Sequence, residues 1–233
     1  MGLKLTKEGY KKRLSSVKEV RNEVAKRDIS KLHVKLQRGN AKTGRNCYTV
    51  SLLPVIDCTN CSKCKHDCYD LKSDLIYKQV KEDRAKNSVI HEKDPERYWN
   101  EIDIQVKANY IEYLRINVGG DLNDNDFYHV ATLGINNPKC HFLFFTKNYK
   151  GINKFLEENK FPPNVHPIMS AWKETVMDNP YNLPVSHVLY KDGSTTAPEY
   201  GAYYCKGNCT ECSFKGEGCW VLKKNEHVVF RYH

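Results

Sequence analysis

The sequence lacks any long apolar run. None of its hydrophobic segments approaches the roughly 20 residues that a membrane-spanning helix needs. It also lacks an apolar signal core, because charged residues begin at Lys4, directly after Met1-Gly2-Leu3. We therefore expect a cytoplasmic protein that makes no membrane contact.

Two common catalytic motifs are missing. The turn-rich segment Gly39-Asn-Ala-Lys-Thr-Gly44 does not end in the Gly-Lys-Ser/Thr of a phosphate-binding P-loop. None of the nine histidines lies in an H-E-x-x-H pattern, the pair of metal ligands found in many zinc proteases. These absences argue against a P-loop nucleotidase and against a zinc protease of that type.

Acidic residues are scarce in the N-terminal 45 residues, which hold 14 Lys and Arg against 4 Asp and Glu, whereas the remainder holds 23 against 24. Apolar residues at helical spacing, including Val17 and Val24, predict an amphipathic helix over residues 10–28. Residues 1–45 are thus predicted to be a basic N-terminal helical arm, and residues 46–233 a single α/β metal-binding domain. The arm is either a surface helix docked by its valines or a partner for nucleic-acid phosphates. Its only aromatic residue is Tyr10, so base stacking is not expected.

Strand-like and helix-like segments alternate through the rest of the chain, which favours parallel strands joined by helical crossovers. The predicted fold is a partial (β/α) barrel of about six strands, with an open doubly wound sheet as the alternative. The predicted helices are residues 70–86, a helix that starts at Asp94-Pro95, a short helix whose N-terminus is capped by residues 123–126, and residues 151–159. The predicted strands lie near 48–56, 113–118, 140–145, 165–170, 186–190 and 227–232.

Eight of the ten cysteines fall in two groups. The first has the spacing C-x2-C-x2-C-x3-C, which is typical of ferredoxin-type iron–sulfur ligands. In a reducing compartment, clustered cysteines are more often metal ligands than disulfides. Zinc is the alternative, although zinc sites usually pair two separate C-x2-C knuckles. The first-group ligands are Cys58, Cys61, Cys64 and Cys68.

The second cysteine group lies near the C-terminus, in a glycine-bearing loop with little apolar content. Such a segment needs a metal to hold its shape. A fourth cysteine is available to close the site, so a structural or electron-relay role is expected. The second-group ligands are Cys205, Cys209, Cys212 and Cys219. The remaining two cysteines, Cys47 and Cys140, lie on predicted strands and are expected to be buried.

Two glycines and an aspartate follow the second predicted strand, near residues 113–118. Gly119 and Gly120 would let the backbone approach a ligand closely, and Asp121 could accept a hydrogen bond from it. Lys147 follows the next strand and would face the same end of the sheet. These four residues are the predicted cofactor site, with a tight turn and an exposed aspartate as the alternative.

A series of short motifs, in the same order along the chain, resembles the phage "gene product 88" family. The resemblance runs from about residue 36 to 222. Its motifs are Asn40-x-Lys42-Thr-Gly44, Ser51-Leu-Leu-Pro54, Cys58…Cys64-x3-Cys68-Tyr69, Arg84-x2-Asn87, Arg115-Ile-Asn-Val-Gly-Gly-Asp121, Phe145-Thr-Lys-Asn148, Ser170-Ala-Trp172 and the final Cys-x2-Cys…Cys219-Trp220.

The layout is in turn similar to that of radical S-adenosylmethionine barrels, with a cysteine loop after the first strand and a Gly-Gly-acid loop after the second. That resemblance implies that Cys58, Cys64 and Cys68 hold a cluster with one open iron. It also implies that Gly119, Gly120 and Asp121 meet the methionine part of the cofactor. The first-loop spacing here is C-x5-C-x3-C rather than C-x3-C-x2-C, and Cys61 is available as a fourth ligand.

Two hypotheses follow. The first is an iron–sulfur protein of phage or mobile-element type with one or two 4Fe-4S clusters. In the enzyme form of this hypothesis it is a radical-SAM-like redox enzyme that uses S-adenosylmethionine, working in the host cytosol if a phage encodes it. The second is a protein without catalysis, in which zinc staples the cysteine loops and the basic arm binds nucleic acid.

Overall fold

The computed structural model describes residues 6–39, 47–59, 64–68, 70–71, 78–173 and 175–232. These residues form six α-helices and a seven-stranded sheet, which confirms the predicted α/β class. The helices are α1 (Lys7–Ala25), α2 (Lys78–Lys93), α3 (Pro95–Ala108), α4 (Asp126–Asn136), α5 (Tyr149–Glu158) and α6 (Cys209–Lys215). The strands are β1 (Cys47–Val50), β2 (Tyr113–Ile116), β3 (His141–Thr146), β4 (Val165–Ser170), β5 (Val185–Leu189), β6 (Ala202–Tyr204) and β7 (His227–Arg231).

All strand pairs are parallel, in the order β1-β2-β3-β4-β5-β7-β6. The order advances in one direction from β1 to β5, without the reversal that defines a doubly wound sheet. Among the described residues no ladder joins β1 to β6. The structure therefore establishes a parallel α/β sheet and does not establish a closed or partial barrel.

The predicted strands agree with the structure except at two places. The first strand ends at Val50, short of the predicted residue 56, and the chain makes a turn at residues 54–57. Asp57 stabilises the turn, since its Oδ2 accepts a hydrogen bond from the backbone N–H of Leu53 at 2.7 Å. Strand β6 was missed because its three residues are too few to show an alternating pattern.

The two faces of the sheet carry different side chains, because successive strand residues point to opposite sides. Leu114, Ile116, Phe142 and Phe144 belong to the main core, which also contains buried residues of the helices. On the other face, a smaller cluster forms around Cys47, Leu143, Ile168 and Trp220. That cluster also includes Cys212 and Cys219 at its margin. The second cysteine group therefore packs on the face opposite the main core.

Helix α1 begins with Thr6 as its cap, and the hydroxyl of Thr6 accepts a hydrogen bond from the Gly9 N–H at 3.0 Å. Val17 and Val24 are 1% and 0% exposed and belong to the same core as the strands. The Arg27 guanidinium, on the chain just beyond α1, pairs with Glu82 of α2 at 2.8 Å. The predicted basic helix is therefore packed against α2 through its valines, as the first interpretation of the arm requires.

Helix α3 starts where the sequence indicated. Asp94 is its cap and accepts a hydrogen bond from the Arg97 N–H at 3.1 Å, and Pro95 is its first residue. Helix α2 extends to Lys93, beyond the predicted end at residue 86, and the start of that prediction lies partly outside the described residues. In the part of the chain that the structure describes, no helix combines the length and apolar character needed to cross a membrane.

The C-terminal cysteine segment was predicted to be a loop, but part of it is helical. It contains helix α6 and a short 3-10 helix at Gly218–Trp220. Asn208 caps α6 by accepting a hydrogen bond from the Glu211 N–H at 3.1 Å. Gly216, at φ 61°, ends the helix in the left-handed conformation. The short helix was hidden in the sequence because the cysteines interrupt the apolar pattern.

Candidate metal centres and the adjoining cleft

The first cysteine loop leaves the carboxyl end of β1 and is bonded to the loop that follows β2. The Leu52 N–H donates to the Gly119 carbonyl at 3.0 Å, and the Asp121 N–H donates to the Asp57 carbonyl at 2.8 Å. Two neighbouring loops at the carboxyl edge of the sheet are thus held side by side. This is the edge where parallel α/β proteins place their ligands.

Three first-group cysteines, Cys58, Cys64 and Cys68, are described and are partly buried, while Cys61 lies outside the described residues. Burial raises the pKa of Cys68 to about 12, and the nearby charges of Asp70 and Cys58 act in the same direction. The Leu71 N–H donates to the Cys68 sulfur at 3.5 Å. A bound metal would therefore have to displace a firmly held proton from this thiol.

A buried ion pair lies directly behind this loop. The Asp70 Oδ2 is 2.7 Å from the Arg84 Nη1, and both side chains are at most 7% exposed. Three residues further along α2, the Asn87 amide accepts from the Lys35 N–H and donates to the carbonyls of Lys35 and Ser51. The motif Arg84-x2-Asn87 thus ties the cysteine loop, the end of β1 and the segment before β1 to one helix.

The glycine pair fits against the first cysteine loop with almost no spare space. A Cβ on Gly119 would lie 2.0 Å from the Asp70 Oδ2, and a Cβ on Gly120 would lie 2.7 Å from the Leu52 Cβ. Gly120 also has a φ of 82°, which favours glycine. Both glycines are therefore required for the two loops to pack, whatever ligand binds nearby.

Asp121 is buried rather than exposed in a turn. Its carboxylate accepts hydrogen bonds from the Thr146 hydroxyl at 2.7 Å and from the backbone N–H groups of Leu122 and Lys147 at 2.8 and 2.9 Å. Burial raises the pKa of Asp121, although these hydrogen bonds oppose the rise. Asp121 thus contacts the backbone of Lys147, and a role of the two residues in cofactor binding stays a prediction. The carboxylate joins the loops after β2 and β3, and the Lys147 Nζ lies 5.9 Å from the Trp172 ring.

All four second-group cysteines line one small pocket of about 30 Å³ on the other face of the sheet. Trp220, Phe145, Phe230 and Leu143 supply its apolar wall. Burial raises the pKa of Cys219 to about 12, Arg115 opposes the rise, and the other three second-group thiols add to it. The sequence placed these thiols in one site, and the structure brings all of them to it.

Several donors point at these sulfurs. The Arg115 Nη1 lies 3.8 Å from the Cys209 sulfur, and the Tyr203 hydroxyl lies 3.8 Å from the Cys212 sulfur. The Gly207 N–H donates to the Cys205 sulfur at 3.3 Å. Among the described residues, no three or more His, Cys, Asp or Glu side chains are already arranged as a metal-ion site. The thiols therefore share a pocket but would have to draw inward to bind a metal.

The two isolated cysteines are buried, as the sequence indicated. Cys47 and Cys140 are 1% and 2% exposed. Burial raises the pKa of each to about 12. They are core residues of the sheet.

A cleft of about 940 Å³ opens beside the first cysteine loop. Its wall includes Cys58 and Asp121 together with polar side chains from four helices. His91 Nε2 lies 2.7 Å from the Asp126 Oδ1, which also accepts from the Trp99 indole N–H at 3.2 Å. Burial disfavours the charged form of His91, but the hydrogen bond and charge of Asp126 outweigh it and raise the His91 pKa.

Two buried polar groups near this edge of the sheet have no hydrogen-bond partner in the described part of the chain. One is the hydroxyl of Tyr98, whose ring packs edge-on against His91 at 4.9 Å. The other is the amide of Asn117, which follows β2 directly and has a φ of 53°. Sequence reasoning missed Tyr98, Asn117 and the His91–Asp126 pair, because no spacing motif marks residues that meet only in the fold.

Comparison with known proteins gives one match. No curated protein and no solved structure is significantly similar to the chain. The model of the gene product 88 family matches residues 24–228, which include both cysteine groups and the glycine–aspartate loop. The chain therefore belongs to the gene product 88 family.

Proposed function

We propose that the protein is an iron–sulfur protein whose cluster is held by the first cysteine loop and serves a redox reaction in the adjoining cleft. The observation that supports this most directly is the position of Cys58. Its loop is fixed at the carboxyl edge of a parallel sheet, and it also lines a cleft of about 940 Å³. A cluster bound there would lie beside the space where a small molecule fits.

Iron–sulfur is preferred over zinc in this loop because of its ligand spacing, C-x2-C-x2-C-x3-C. The N–H of Leu71 that points at the Cys68 sulfur is a further supporting contact, since such bonds set the reduction potential of a cluster. The ion pair of Asp70 and Arg84 holds the chain immediately after Cys68 in place. The loop is therefore preorganised on at least one side.

Two buried polar groups near the cleft have no partner among the described residues, the hydroxyl of Tyr98 and the amide of Asn117. Neither residue lines the cleft, so ordered water, rather than a substrate, is the partner expected for each of them.

A radical-SAM-like enzyme is the more specific form of the proposal. A reduced 4Fe-4S cluster supplies one electron to a bound cofactor. The one-directional strand order of β1 to β5 is compatible with a partial barrel, the arrangement expected for such enzymes. Because Asp121 is already bonded to Thr146 and Lys147, its contribution would be to hold the loops together, and S-adenosylmethionine would have to use other polar groups of the cleft.

The test is anaerobic purification followed by iron and sulfide analysis of four proteins. These are the wild type, the double variant Cys58→Ser/Cys68→Ser, the double variant Cys209→Ser/Cys212→Ser, and Cys140→Ser as a control for a buried thiol outside both groups. We expect iron with matching sulfide in the wild type and the control, and its loss in the first double variant alone. Iron-free wild-type protein would contradict the proposal.

The radical-SAM-like form needs a separate measurement. The paramagnetic spectrum of the reduced protein would be recorded with and without S-adenosylmethionine. A changed spectrum indicates an open iron site and supports an enzyme, whereas an unchanged spectrum supports electron transfer or sensing by a closed cluster.

The second candidate, nucleic-acid binding, is supported by exposed lysines of α1. Lys11, Lys12 and Lys18 are exposed, and clustered cations of this kind gain affinity for phosphates by counterion release. Deleting the helix would be a poor test, because it removes Val17 and Val24 from the main core. The triple variant Lys11→Glu/Lys12→Glu/Lys18→Glu leaves those valines in place. Weaker DNA binding with a shallower salt dependence would support this role, and unchanged binding would exclude α1 as the interface.

A further inference from the structure

The size of the C-terminal cysteine pocket limits what it can hold. Its volume is about 30 Å³, which is room for about one or two water molecules. A single metal ion needs no more room than this, and the four sulfurs would draw inward to reach it.

The donor set is complete and of one chemical kind. Four cysteines within 15 residues, Cys205 to Cys219, line the pocket, and no carboxylate or histidine lines it. Zinc in structural sites takes four ligands in a tetrahedron, and four thiolates are one of its usual sets. A site with four protein ligands leaves no position open for a substrate.

The local backbone brings these cysteines together. Cys209 and Cys212 lie on the first turn of α6, and the left-handed Gly216 turns the chain back toward Cys219. A Cβ on Gly218 would lie 3.0 Å from the Cys212 sulfur, so this glycine allows the returning chain to pass close to that ligand. The Gly207 N–H donates a hydrogen bond to the Cys205 sulfur, a contact of the kind that orients metal ligands.

The surroundings suit a compact anionic complex. Four thiolates around a divalent ion carry a net charge of about −2, because each thiolate carries one negative charge. The guanidinium of Arg115, 3.8 Å from the Cys209 sulfur, lies in the pocket wall and would offset part of that charge. The Tyr203 hydroxyl beside the Cys212 sulfur adds a second outer contact. Outer contacts of this type fix ligand orientation in metal sites.

We propose that Cys205, Cys209, Cys212 and Cys219 form a closed site for a single zinc ion, separate in position and chemistry from the iron–sulfur loop. The ion would fasten the segment between β6 and β7 to the face of the sheet opposite the main core, against Trp220. This inference does not depend on the proposed function, because the two cysteine groups lie on different parts of the sheet and share no ligand.

The test uses protein expressed with both iron and zinc in the medium and purified anaerobically. Zinc, iron and sulfide are counted per chain, and X-ray absorption at the zinc edge gives the ligands. We expect one zinc per chain with four sulfurs at about 2.3 Å. Zinc with mixed nitrogen or oxygen ligands, iron and sulfide in place of zinc, or no bound metal would each overturn the inference.

Two variants assign the zinc to this pocket. Cys209→Ser/Cys212→Ser should lose the zinc and keep any iron, whereas Cys58→Ser/Cys68→Ser should keep the zinc. Since the first variant could unfold, Cys219→His is the second test. Three thiolates and one imidazole still bind zinc, so this variant should fold, retain one zinc and show one sulfur replaced by nitrogen. Zinc that persists unchanged in both pocket variants would overturn the inference. If the wild-type protein held no iron, the proposed function would fail, but the expected zinc content would stay the same.

Discussion

The Oδ2 of Asp70 lies 2.7 Å from the Nη1 of Arg84 in a pair that is almost completely buried. Removing one partner of such a pair leaves an uncompensated charge in the interior, which costs about 3–5 kcal/mol. We expect Arg84→Ala to lower the free energy of unfolding by that amount. Urea denaturation monitored by circular dichroism would measure it.

An exposed pair is the control for this substitution. Lys26 and Glu23 are 2.7 Å apart but 70% and 66% exposed. Lys26→Ala should therefore leave the free energy of unfolding almost unchanged. Equal effects of Arg84→Ala and Lys26→Ala would show that the buried pair does not stabilise the cysteine loop.

Alanine substitutions at Gly120 and Gly193 distinguish the cost of backbone strain from the cost of steric crowding. Their φ angles are 82° and 81°, but a Cβ on Gly120 would meet the Leu52 Cβ at 2.7 Å, whereas a Cβ on Gly193 would meet nothing within 4 Å. Gly193→Ala should cost only the left-handed strain of about 1–2 kcal/mol. Gly120→Ala should cost about 1–3 kcal/mol more, because the added methyl overpacks the loop contact.

The measurement is the difference in melting temperature and in free energy of unfolding between these two alanine variants. If both variants lost the same stability, the close packing of the glycine loop on Leu52 would contribute nothing to the free energy of unfolding. The comparison is direct, since the two positions have nearly the same φ angle.

His166 should make the protein sensitive to mild acid. Burial, together with the neighbouring His141 at 3.0 Å, lowers the His166 pKa to about 4. The unfolded chain binds a proton near pH 6.5 and the folded chain only near pH 4, so stability is present above pH 6.5 and is lost as the pH falls toward 4. The loss should be on the order of 2 kcal/mol, because the ring is partly solvated.

Stability measured at several pH values checks this prediction. His166→Phe should make the decline between pH 6.5 and 4 shallower, while His187, whose pKa burial also lowers to about 4, accounts for a remaining part. His33→Gln, at a histidine whose side chain is 66% exposed, is the control and should keep the wild-type slope. A slope that His166→Phe leaves unchanged would assign the acid sensitivity to other groups.

Val24 tests whether α1 belongs to the body of the protein. Its side chain is fully buried in the main core, so Val24→Ala should lower the free energy of unfolding by about 2 kcal/mol. Val176, which is 94% exposed, provides the matched control, and Val176→Ala should have almost no effect. If Val24→Ala were as mild as the control, α1 would be a separable arm.

Much of the fold was predictable because it depends on local patterns. The alternation of strand and helix gave the α/β class, and the Asp94-Pro95 signal located the start of α3. The valine spacing placed α1 correctly, although spacing alone could not tell whether the helix docks. The three-residue β6 was missed, since its pairing with β7 depends on residues more than 20 positions away.

The candidate sites show the same limit. Spacing grouped Cys205 to Cys219, and the structure brings these thiols to one pocket. The sequence could not show that the Asp121 carboxylate accepts hydrogen bonds from Thr146 and Lys147, because those residues follow the neighbouring strand and approach Asp121 only in the folded protein. Nor could it show the difference in available space between the pocket and the cleft, which depends on packing.

The strand order at the end of the sheet has a consequence for how the chain folds as it is made. Strand β7 lies between β5 and β6, so β6 has no partner in the sheet until residues 227–231 have been synthesised. The four cysteines between β6 and β7 therefore leave the ribosome before their pocket can close. During that interval their thiols are accessible to solvent, and binding of the proposed zinc ion would be a late step of folding.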